Sequence, residues 1–421
     1  MNSIESLVYC LVKKHPGIKK FVKTVYQGAF DLMPRKAEFF SGAYDFKEGY
    51  FFGFHDVSPI SKDETKCLAN KVPFEGRMPL KGESMVIGFF DMKGGKFGGY
   101  HKLADTYAWN FHKGCRLQWV DDDTVIYNTA ESDKLISEAR NIKTGETRTF
   151  PYPIDAIYND GKELFATSFC YERLNRCMPG YGYAVGDGDS KEPAPSDDGL
   201  FLINLSKAEA RLIVSLKELS EKVSKVFRPD YTHFVTHTEF SLDGRYIAFL
   251  YRVVPNGQEG KDMHKTWILV YDLKEQQLIT LPTQESGSHY VWNHRNEIIA
   301  SCVIDGKSCH VLYDVKAPQN FKIIAGDTVN SDGHQSFISD GVFITDTYPD
   351  RRRMAKIYKV DINTSSAIKI ADIYSPKEFQ TKDVYCHIAC DLHPRVSPSM
   401  KYVCFDSPRT GVRSLYVMKL L

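Results

Sequence analysis

Four histidines occupy one position in a pattern that the C-terminal half of the sequence repeats. In each copy an apolar residue follows the histidine three places later, and a turn and an apolar β-type run come next. The copies begin 52, 45 and 59 residues apart, at His237, His289, His334 and His393. Neutral imidazole is a common ligand of zinc, manganese and iron ions. If the repeat brings the four side chains to one axis, we expect a metal site there.

The repeat itself predicts the elements that would position these side chains. Periods near 50 residues, built from short strands and Asp-Gly-type turns, are typical of β-propeller blades. Weaker copies begin near Phe54, Cys115 and Ile154, which brings the total to seven. We therefore predict an all-β fold, a seven-bladed β-propeller with a short α-helical N-terminal extension and a helical insertion. In this register the histidines lie near the start of each inner strand and face the central funnel.

The register favours His289, His334 and His393 as the metal ligands. His237 is either a further ligand or a catalytic acid or base. A lone histidine at the start of a strand is usually structural, so the expectation depends on the four histidines jointly.

Two polar residues lie next to positions of this register and not on them. Gln335 follows His334 and points to the other face of a regular strand, although at the start of a strand it could turn inward. His55 lies one residue out of register, because Phe54 takes the equivalent place, so we do not expect it among the ligands.

Composition limits the class of protein. The chain has 421 residues, 43% of them hydrophobic and 25% charged, with a net charge of +1, which gives no global reason to expect nucleic acid. One propeller of residues 37–421 accounts for almost the whole length. The ten cysteines have no regular spacing and no signal peptide is recognised, so we expect buried thiols and a cytoplasmic location.

Residues 1–36 differ from the rest. Apolar residues fall roughly on one helical face, interrupted at Pro16-Gly17, which predicts two short amphipathic helices. The opposite face is basic and carries Lys13, Lys14, Lys19, Lys20 and Lys23. The longest run of apolar residues in this segment is too short to cross a bilayer. An amphipathic basic segment of this kind can nevertheless make peripheral contact with an anionic inner membrane. The alternative is that it packs on the outside of the propeller.

Residues 172–232 interrupt the blade rhythm and are interpreted as an insertion at the funnel rim. They contain Pro179-Gly-Tyr-Gly-Tyr183, an acidic loop and a predicted helix, where Ser215 and Glu218 have the spacing of a capping box. Loops at one rim of a propeller face the same funnel, so the insertion is expected to carry binding residues. The alternative is that it only covers a blade edge.

Arginines and aromatic residues near the rims are further candidates for catalysis and substrate binding. Guanidinium groups pair bidentately with carboxylate, sulfate or phosphate, which suits an acidic sugar. We assign Arg173 and Arg252 as candidate catalytic residues and Arg395 as a candidate for substrate binding. Aromatic rings that could stack on sugars are Trp109, Tyr171, Tyr181 and Tyr183. The run of arginines at 351–353 is expected to be a solvated turn at an outer edge.

Several phrases of the sequence resemble bacterial seven-bladed propellers related to oligogalacturonate lyase, with ulvan lyases as more distant relatives. The phrases extend from about residue 50 to the end of the chain. They include Ala108-Trp-Asn-Phe-His-Lys-Gly-Cys-Arg-Leu-Gln-Trp119, Tyr171-Glu-Arg-Leu-Asn-Arg176, Asp332-Gly-His-Gln335, Thr345-Asp-Thr-Tyr-Pro-Asp350 and Cys390-Asp-Leu-His-Pro-Arg395.

The resemblance implies a reaction and a cofactor. In oligogalacturonate lyases a manganese-type ion, held by histidines and a glutamine, binds the uronate carboxylate while the C5 proton leaves and the C4 oxygen is eliminated. By resemblance these ligands are His289, His334 and His393, with Gln335, and the expected ion is manganese or zinc. The family's base has been assigned to an arginine. Arginine normally keeps its proton, so His237 or a tyrosine is the easier base.

Three functions remain open from the sequence. The first is a metal-dependent, carbohydrate-active enzyme, a carbon–oxygen lyase that acts on a uronic-acid-containing oligosaccharide or polysaccharide by β-elimination. The second is a membrane-associated transferase or modifying factor in bacterial capsule or lipopolysaccharide biosynthesis, which the basic N-terminal segment favours. The third is a non-catalytic propeller that serves as an interaction platform.

Overall fold

The computed structural model describes residues 27–420, except residues 29 and 32, residue 187 and the segments 224–229, 261–263 and 382–385. The two helices predicted from residues 1–36 therefore lie almost wholly outside the described residues. Within this part of the chain, 29 strands form seven antiparallel sheets, which are the blades of a β-propeller. The predicted fold class is confirmed.

Two short strands precede the first blade, and the next twelve form three blades of four strands each. The leading strands are β1 (Phe39–Phe40) and β2 (Tyr44–Glu48). Blade 1 contains β3 (Tyr50–Phe51), β4 (Lys66–Lys71), β5 (Met85–Lys93) and β6 (Lys96–Thr106). Blade 2 contains β7 (Gln118–Trp119), β8 (Thr124–Glu131), β9 (Lys134–Asn141) and β10 (Thr147–Phe150). Blade 3 contains β11 (Ile157–Asn159), β12 (Leu164–Ser168), β13 (Gly199–Asn204) and β14 (Glu209–Ser215).

The remaining strands form four blades in chain order. Blade 4 contains β15 (Tyr231–Phe240), β16 (Tyr246–Pro255), β17 (Lys265–Asp272) and β18 (Gln277–Thr280). Blade 5 contains β19 (Tyr290–Trp292), β20 (Glu297–Ile304), β21 (Lys307–Asp314) and β22 (Lys322–Ile324). Blade 6 contains β23 (Gln335–Ser339), β24 (Val342–Asp346), β25 (Met354–Asp361) and β26 (Ser366–Tyr374). Blade 7 contains β27 (Arg395–Val396), β28 (Tyr402–Ser407) and β29 (Ser414–Lys419).

The leading strands complete the last two blades. β2 pairs antiparallel with β29, and β1 pairs antiparallel with β26 as a fifth strand of blade 6. Residues from the two ends of the chain thus lie in one sheet, which closes the ring. Closure stabilises the fold because it pairs a sheet edge that would otherwise be open.

Burial follows from the way blades pack. Each blade contacts its neighbours through both sheet faces, so the middle strands lose the alternation of exposed and buried residues. β16 is the clearest case, since nine of its ten residues are buried. The inner strands of neighbouring blades contact each other around the channel, as β19 and β23 do.

The direction of the strands defines two faces of the propeller. We call the face at which the inner strands begin the upper face, and the face at which they end the lower face. Because neighbouring strands are antiparallel, the loops from second to third strands and the loops between blades lie at the upper face. The hairpins that follow the inner strands lie at the lower face.

The stretch 172–232 is organised differently from the prediction. Residues 199–215, predicted as part of an insertion, form β13 and β14 of blade 3. The added elements are the segment 169–198, which carries α1 (Tyr171–Cys177), and α2 (Leu216–Lys222) after β14. The predicted cap of α2 is present, since the Ser215 hydroxyl accepts a hydrogen bond of 3.1 Å from the backbone N–H of Glu218.

A 3-10 turn, Lys377–Phe379, precedes blade 7. No helix in the described part of the chain has the length and apolar character needed to cross a bilayer.

Candidate metal centre and cleft

A phenylalanine ring lies at the centre of five histidine rings in the channel. The centroid of Phe54 is 4.5 to 6.0 Å from those of His55, His237, His289, His334 and His393. The four histidines of the repeat therefore do meet. His55, which was not expected among the ligands, lies with them.

An irregular stretch of blade 1, residues 52–59, brings Phe54 and His55 into this group. The inner strand of the blade is interrupted between β3 and the bridge that joins Ile60 to Cys67. Gly53 adopts a φ of 119°, and a Cβ there would lie 3.0 Å from the backbone of its neighbours across the channel wall. The carboxylate of Asp406 accepts hydrogen bonds of 3.0 Å from the N–H groups of Phe52 and Gly53. This irregular stretch shifts His55 out of the repeat register, but the ring of His55 still reaches the other histidines.

Three histidine rings form the closest contacts. The ring centroid of His334 is 4.1 Å from that of His289 and 4.2 Å from that of His393. His289 and His334 come directly before β19 and β23, and His393 comes two residues before β27. His393 has a φ of 45°, in the left-handed region that non-glycine residues seldom adopt. Strain of this kind is concentrated at functional sites.

His237 lies at the wall of the same group. Its φ is 52°, and β15 changes register around it, between Thr236 and Glu239. The ring is 4.8 Å from Phe54 and 5.4 Å from Tyr181, between centroids. This bulge turns the imidazole out of the regular strand toward the cleft described below.

Hydrogen bonds fix the tautomer of three rings. The Nδ1 atom of His289 lies 3.0 Å from Asp332, and that of His334 lies 2.9 Å from Asp346. The Nδ1 atom of His55 lies 2.8 Å from the backbone carbonyl of Gln335. Carboxylate and carbonyl oxygens only accept, so each Nδ1 carries the proton and each neutral ring keeps the Nε2 lone pair. Metal-binding histidines show this arrangement.

Two buried atoms beside the cluster lack partners among the described residues. The Nε2 atom of His55 has no hydrogen-bond partner, and neither does Oε1 of Gln335. The amide of Gln335 donates through Nε2 to the carbonyl of Gly333 at 2.9 Å, which fixes the orientation of the amide. Buried polar atoms of this kind are normally satisfied by a bound group or water.

An aspartate adds a carboxylate to the group. Donor atoms of His334, His393 and Asp391 all lie within 4.8 Å of one another. Imidazole nitrogen together with carboxylate and amide oxygen suits divalent ions such as manganese or zinc. The residues present therefore fit a metal ion. His334 and His393 with Asp391 form the tightest part of the site.

Burial sets the charge of the histidines. It lowers the pKa values of His55, His237, His289 and His393, which are therefore neutral at neutral pH. Burial also lowers the pKa of His334, but the adjacent carboxylate of Asp346 reverses this and the net shift is upward. Burial raises the pKa of Asp391 to about 6, against the opposing effect of His334. Neutral imidazole is the form that binds a metal.

A cleft of about 720 Å³ opens above the cluster at the upper face. His237, His289 and Asp391 line it, together with Arg252 and Tyr181. Further lining residues that could bind or transfer protons are His112, His264, Asp332, Tyr348 and His387. The ring of Tyr181 stacks on that of His112, with 4.6 Å between centroids. The cleft thus combines a candidate metal site with a cation, imidazoles and phenols.

The structure brings two of the predicted arginine and aromatic candidates to the cleft. Arg252 lies on β16, and its Nη1 atom is 2.9 Å from the sulfur of Met178. Tyr181 comes from the segment between β12 and β13 and lines the cleft.

The other aromatic candidates lie in the hydrophobic core. Tyr171 and Tyr183 stack on each other at 4.7 Å, and the Tyr171 hydroxyl donates to the carbonyl of Ile154 at 2.6 Å. The indole N–H of Trp109 donates to the carbonyl of Glu83 at 2.8 Å. All three aromatic side chains are buried, so they pack the blades and do not face the cleft.

Two arginines are placed away from the cleft. Arg173 is only 1% exposed, and its guanidinium pairs with Asp198 at 2.8 Å and Asp189 at 3.2 Å, which holds the segment 169–198 together. Arg395 donates to the carbonyl of Gly53 at 2.6 Å and borders a cavity near the lower face. Both side chains stabilise the scaffold of the site.

Sequence reasoning missed several cleft residues. Asp391 lies in the phrase Cys390-Asp-Leu-His393, two residues before a predicted ligand, and this spacing was the available signal. His112 lies in the phrase that begins at Ala108. His264 and His387 belong to no repeat copy, so no sequence signal indicated them.

No family model matches the sequence, and no curated protein matches it. Among solved structures, the oligogalacturonate lyase of Vibrio parahaemolyticus superimposes with a TM-score of 0.59 at 11% identity, over 90% of this chain and 99% of that chain. A structure of oligogalacturonate lyase in complex with manganese aligns with a TM-score of 0.41 at 13% identity, over 92% of this chain and 99% of that chain. The chain is a seven-bladed propeller with the fold of oligogalacturonate lyase. At this identity the likeness establishes the fold.

Proposed function

We propose that the protein is a metal-dependent lyase that cleaves a uronic-acid-containing glycan by β-elimination. The observation that carries the proposal is the fixed tautomer of His289 and His334, whose Nδ1 atoms donate to Asp332, which lines the cleft, and to Asp346. This leaves lone pairs for a divalent ion where an acidic sugar would enter. The shared fold with an oligogalacturonate lyase supports the same chemistry.

His289, His334, His393 and Asp391 would hold the ion, with His55 and Gln335 as further candidate ligands. Such an ion supplies a Lewis acid for the C6 carboxylate of the uronate. The guanidinium of Arg252 provides a fixed cation for the same or a neighbouring carboxylate. The ring of Tyr181 offers a surface on which a sugar can stack.

The elimination requires one base and one acid. His237 is our candidate base because it lines the cleft and its lowered pKa leaves it neutral at pH 7. It would take the C5 proton as the C4–O bond breaks and a C4–C5 double bond forms. The departing oxygen needs a proton, for which the hydroxyl of Tyr348 at the cleft rim is the candidate donor.

Metal analysis tests the proposal first. Protein purified without a histidine tag is compared by mass spectrometry with the His289→Ala and His393→Ala variants. We expect stoichiometric manganese or zinc in the parent and loss of metal from both variants. Incubation with uronic-acid oligosaccharides should then produce a new ultraviolet absorbance from the unsaturated product, and this signal should fall in His237→Ala without loss of metal. A parent protein that takes up no metal after loading would leave the interaction platform as the better account.

A second candidate function remains a modifying enzyme or transferase in surface polysaccharide biosynthesis. The observation that favours it is the basic composition of residues 1–36, which suits work at the inner membrane. We propose a cytoplasmic location with peripheral membrane contact for either function. Detection of a double bond in the product would support the lyase over the transferase or modifying enzyme.

A further inference from the structure

The N-terminal segment joins the propeller at the upper face, beside the cleft. β1 pairs antiparallel with β26, with Phe39 opposite Asp372 and Phe40 opposite Ala371. β26 runs toward the upper face, because it leads into the loop before the inner strand β27. β1 therefore runs away from the upper face, and the described residues just before it, 33–38, lie on that face.

Side chains of the loop between β24 and β25 hold this segment. The guanidinium of Arg353 donates to both carboxylate oxygens of Asp31 at 2.9 Å. Arg352 donates to the backbone carbonyl of Pro34 at 2.6 Å. The turn at 351–353, expected to be solvated, instead connects the N-terminal segment to blade 6.

The same loop borders the cleft. Tyr348 and Pro349 line the cleft, a few residues before the arginines. The Nη1 atom of Arg353 also donates to Oε1 of Gln380 at 2.9 Å, and Gln380 lines the cleft too. A short chain of contacts, from Asp31 through Arg353 to Gln380, thus links the N-terminal segment to the cleft wall.

The surface around this junction mixes apolar and cationic side chains. Met33 and Phe39 are each 45% exposed, and Tyr348 is 42% exposed. Exposed cations on the same surface are Arg35, Arg351 and Lys377, together with Lys36, which pairs with Asp372 at 3.1 Å.

Salt bridges neutralise two of the acidic side chains near this junction. Asp31 is paired with Arg353, and Glu38 is paired with Arg409. Glu378 adds one negative charge to the surface. Residues 1–26 contain five lysines and one glutamate, so the sequence that precedes this junction has a net positive charge.

We propose that the upper face of the propeller docks on an anionic lipid bilayer, so that the cleft opens toward the membrane surface. Exposed apolar side chains among cations match the boundary between acyl chains and anionic headgroups. Because the described residues before β1 lie at the upper face, a membrane contact that these residues make lies beside the cleft. The inference concerns orientation and is independent of the reaction proposed above.

Sedimentation with vesicles tests the lipid partner. The full chain is mixed with phosphatidylcholine vesicles, with or without phosphatidylglycerol, at several salt concentrations. We expect binding to the anionic vesicles alone, weakened by salt because the contact is electrostatic. The double change Arg35→Gln and Lys377→Gln should weaken binding by on the order of tenfold, since two surface cations are lost. The matched control, Arg295→Gln with Lys401→Gln in the lower-face hairpins, should bind like the parent.

Amide hydrogen exchange on the vesicles tests the orientation. We expect slower exchange in residues 347–353 and 375–381 at the upper face, and unchanged exchange in the lower-face hairpins 241–245 and 397–401. Slower exchange in those hairpins instead would overturn the orientation. Equal binding to neutral vesicles, or no binding to anionic ones, would overturn the lipid partner and leave a protein as the occupant of this face.

Discussion

The carboxylate of Asp346 holds two candidate metal ligands at once. One oxygen lies 2.9 Å from Nδ1 of His334, and the other accepts the backbone N–H of His393 at 3.0 Å. One side chain of blade 6 thus sets the ring orientation of its own histidine and the position of a histidine from blade 7. Asp346 is a positioning residue for the proposed site.

We expect Asp346→Asn to weaken metal binding about 10- to 100-fold, because the amide orients His334 less firmly and makes its ring less basic. Competition with a chelator of known affinity measures this change. Asp272→Asn, which alters a partly exposed pair with Arg245, is the matched control and should keep the affinity of the parent. Unchanged affinity in Asp346→Asn would contradict the positioning role.

We expect His55→Ala to lower metal affinity while the protein stays folded, because the unpartnered Nε2 of His55 belongs to the cluster. His310→Ala is the control. That histidine is equally buried, but its Nε2 bonds to Thr345 at 2.9 Å. We expect His310→Ala to destabilise the fold by about 2 kcal/mol and to keep the metal. Equal metal binding by His55→Ala and the parent would remove His55 from the site.

Acid stability should depend on Asp155. Burial opposes its ionisation, but Lys113 and Arg116 lower its pKa from 3.8 to about 2. Because the pKa of Asp155 is lower in the folded state, its ionisation stabilises the fold. This contribution of about 2 kcal/mol to the free energy of unfolding is present above pH 3.8 and is lost as the pH falls toward 2. We expect Asp155→Asn to cost about 3 to 5 kcal/mol at neutral pH, since it leaves the buried ammonium of Lys113 without its carboxylate and leaves Arg116 with Asp56 alone.

Urea unfolding between neutral pH and about pH 2 measures both effects. In Asp155→Asn the fall in unfolding free energy between pH 4 and pH 2 should be shallower than in the parent. Asp63, on the lower-face turn, has a similarly lowered pKa but is exposed, so Asp63→Asn should cost much less at neutral pH. Parallel pH profiles for the parent and Asp155→Asn would rule out Asp155 as the source.

Location should depend on the lysines of the N-terminal segment. Glutamate at Lys13, Lys14, Lys19, Lys20 and Lys23 reverses the charge of one predicted helical face. We expect this variant to leave the membrane fraction of a cell lysate, because anionic lipids attract clustered lysines. Unchanged partitioning would show that these lysines do not attach the protein to membranes.

Most of the fold could be predicted from the repeat period, because each blade is one unit of strands and turns. Seven sequence copies correspond to seven sheets, and the copy at His237 marks a real inner strand. Residues 52–59 of blade 1 form an irregular stretch without strand pairing, so the repeat register excluded His55 although its ring reaches the cluster. A repeat period predicts equivalent positions only where the strands are regular.

The type of a residue did not reveal the direction of its side chain. Tyr181 faces the cleft, whereas Tyr183, two residues on, stacks in the core against Tyr171. Arg173 looked like a ligand for an acidic sugar, but acids of its own segment neutralise it. Partners that are distant in sequence decide these cases, and the sequence does not identify them.

Closure of the ring has a consequence for biosynthesis. Within the propeller, β2 is synthesised before all seven inner strands, but its partner β29 is the last strand of blade 7. β2 must wait, with an unpaired edge, until blade 7 has been synthesised. His393 lies just before β27 of the same blade, so the proposed metal site can be completed only after blade 7 has been synthesised. A nascent or truncated chain would be both open at its edge and unable to hold the ion in full.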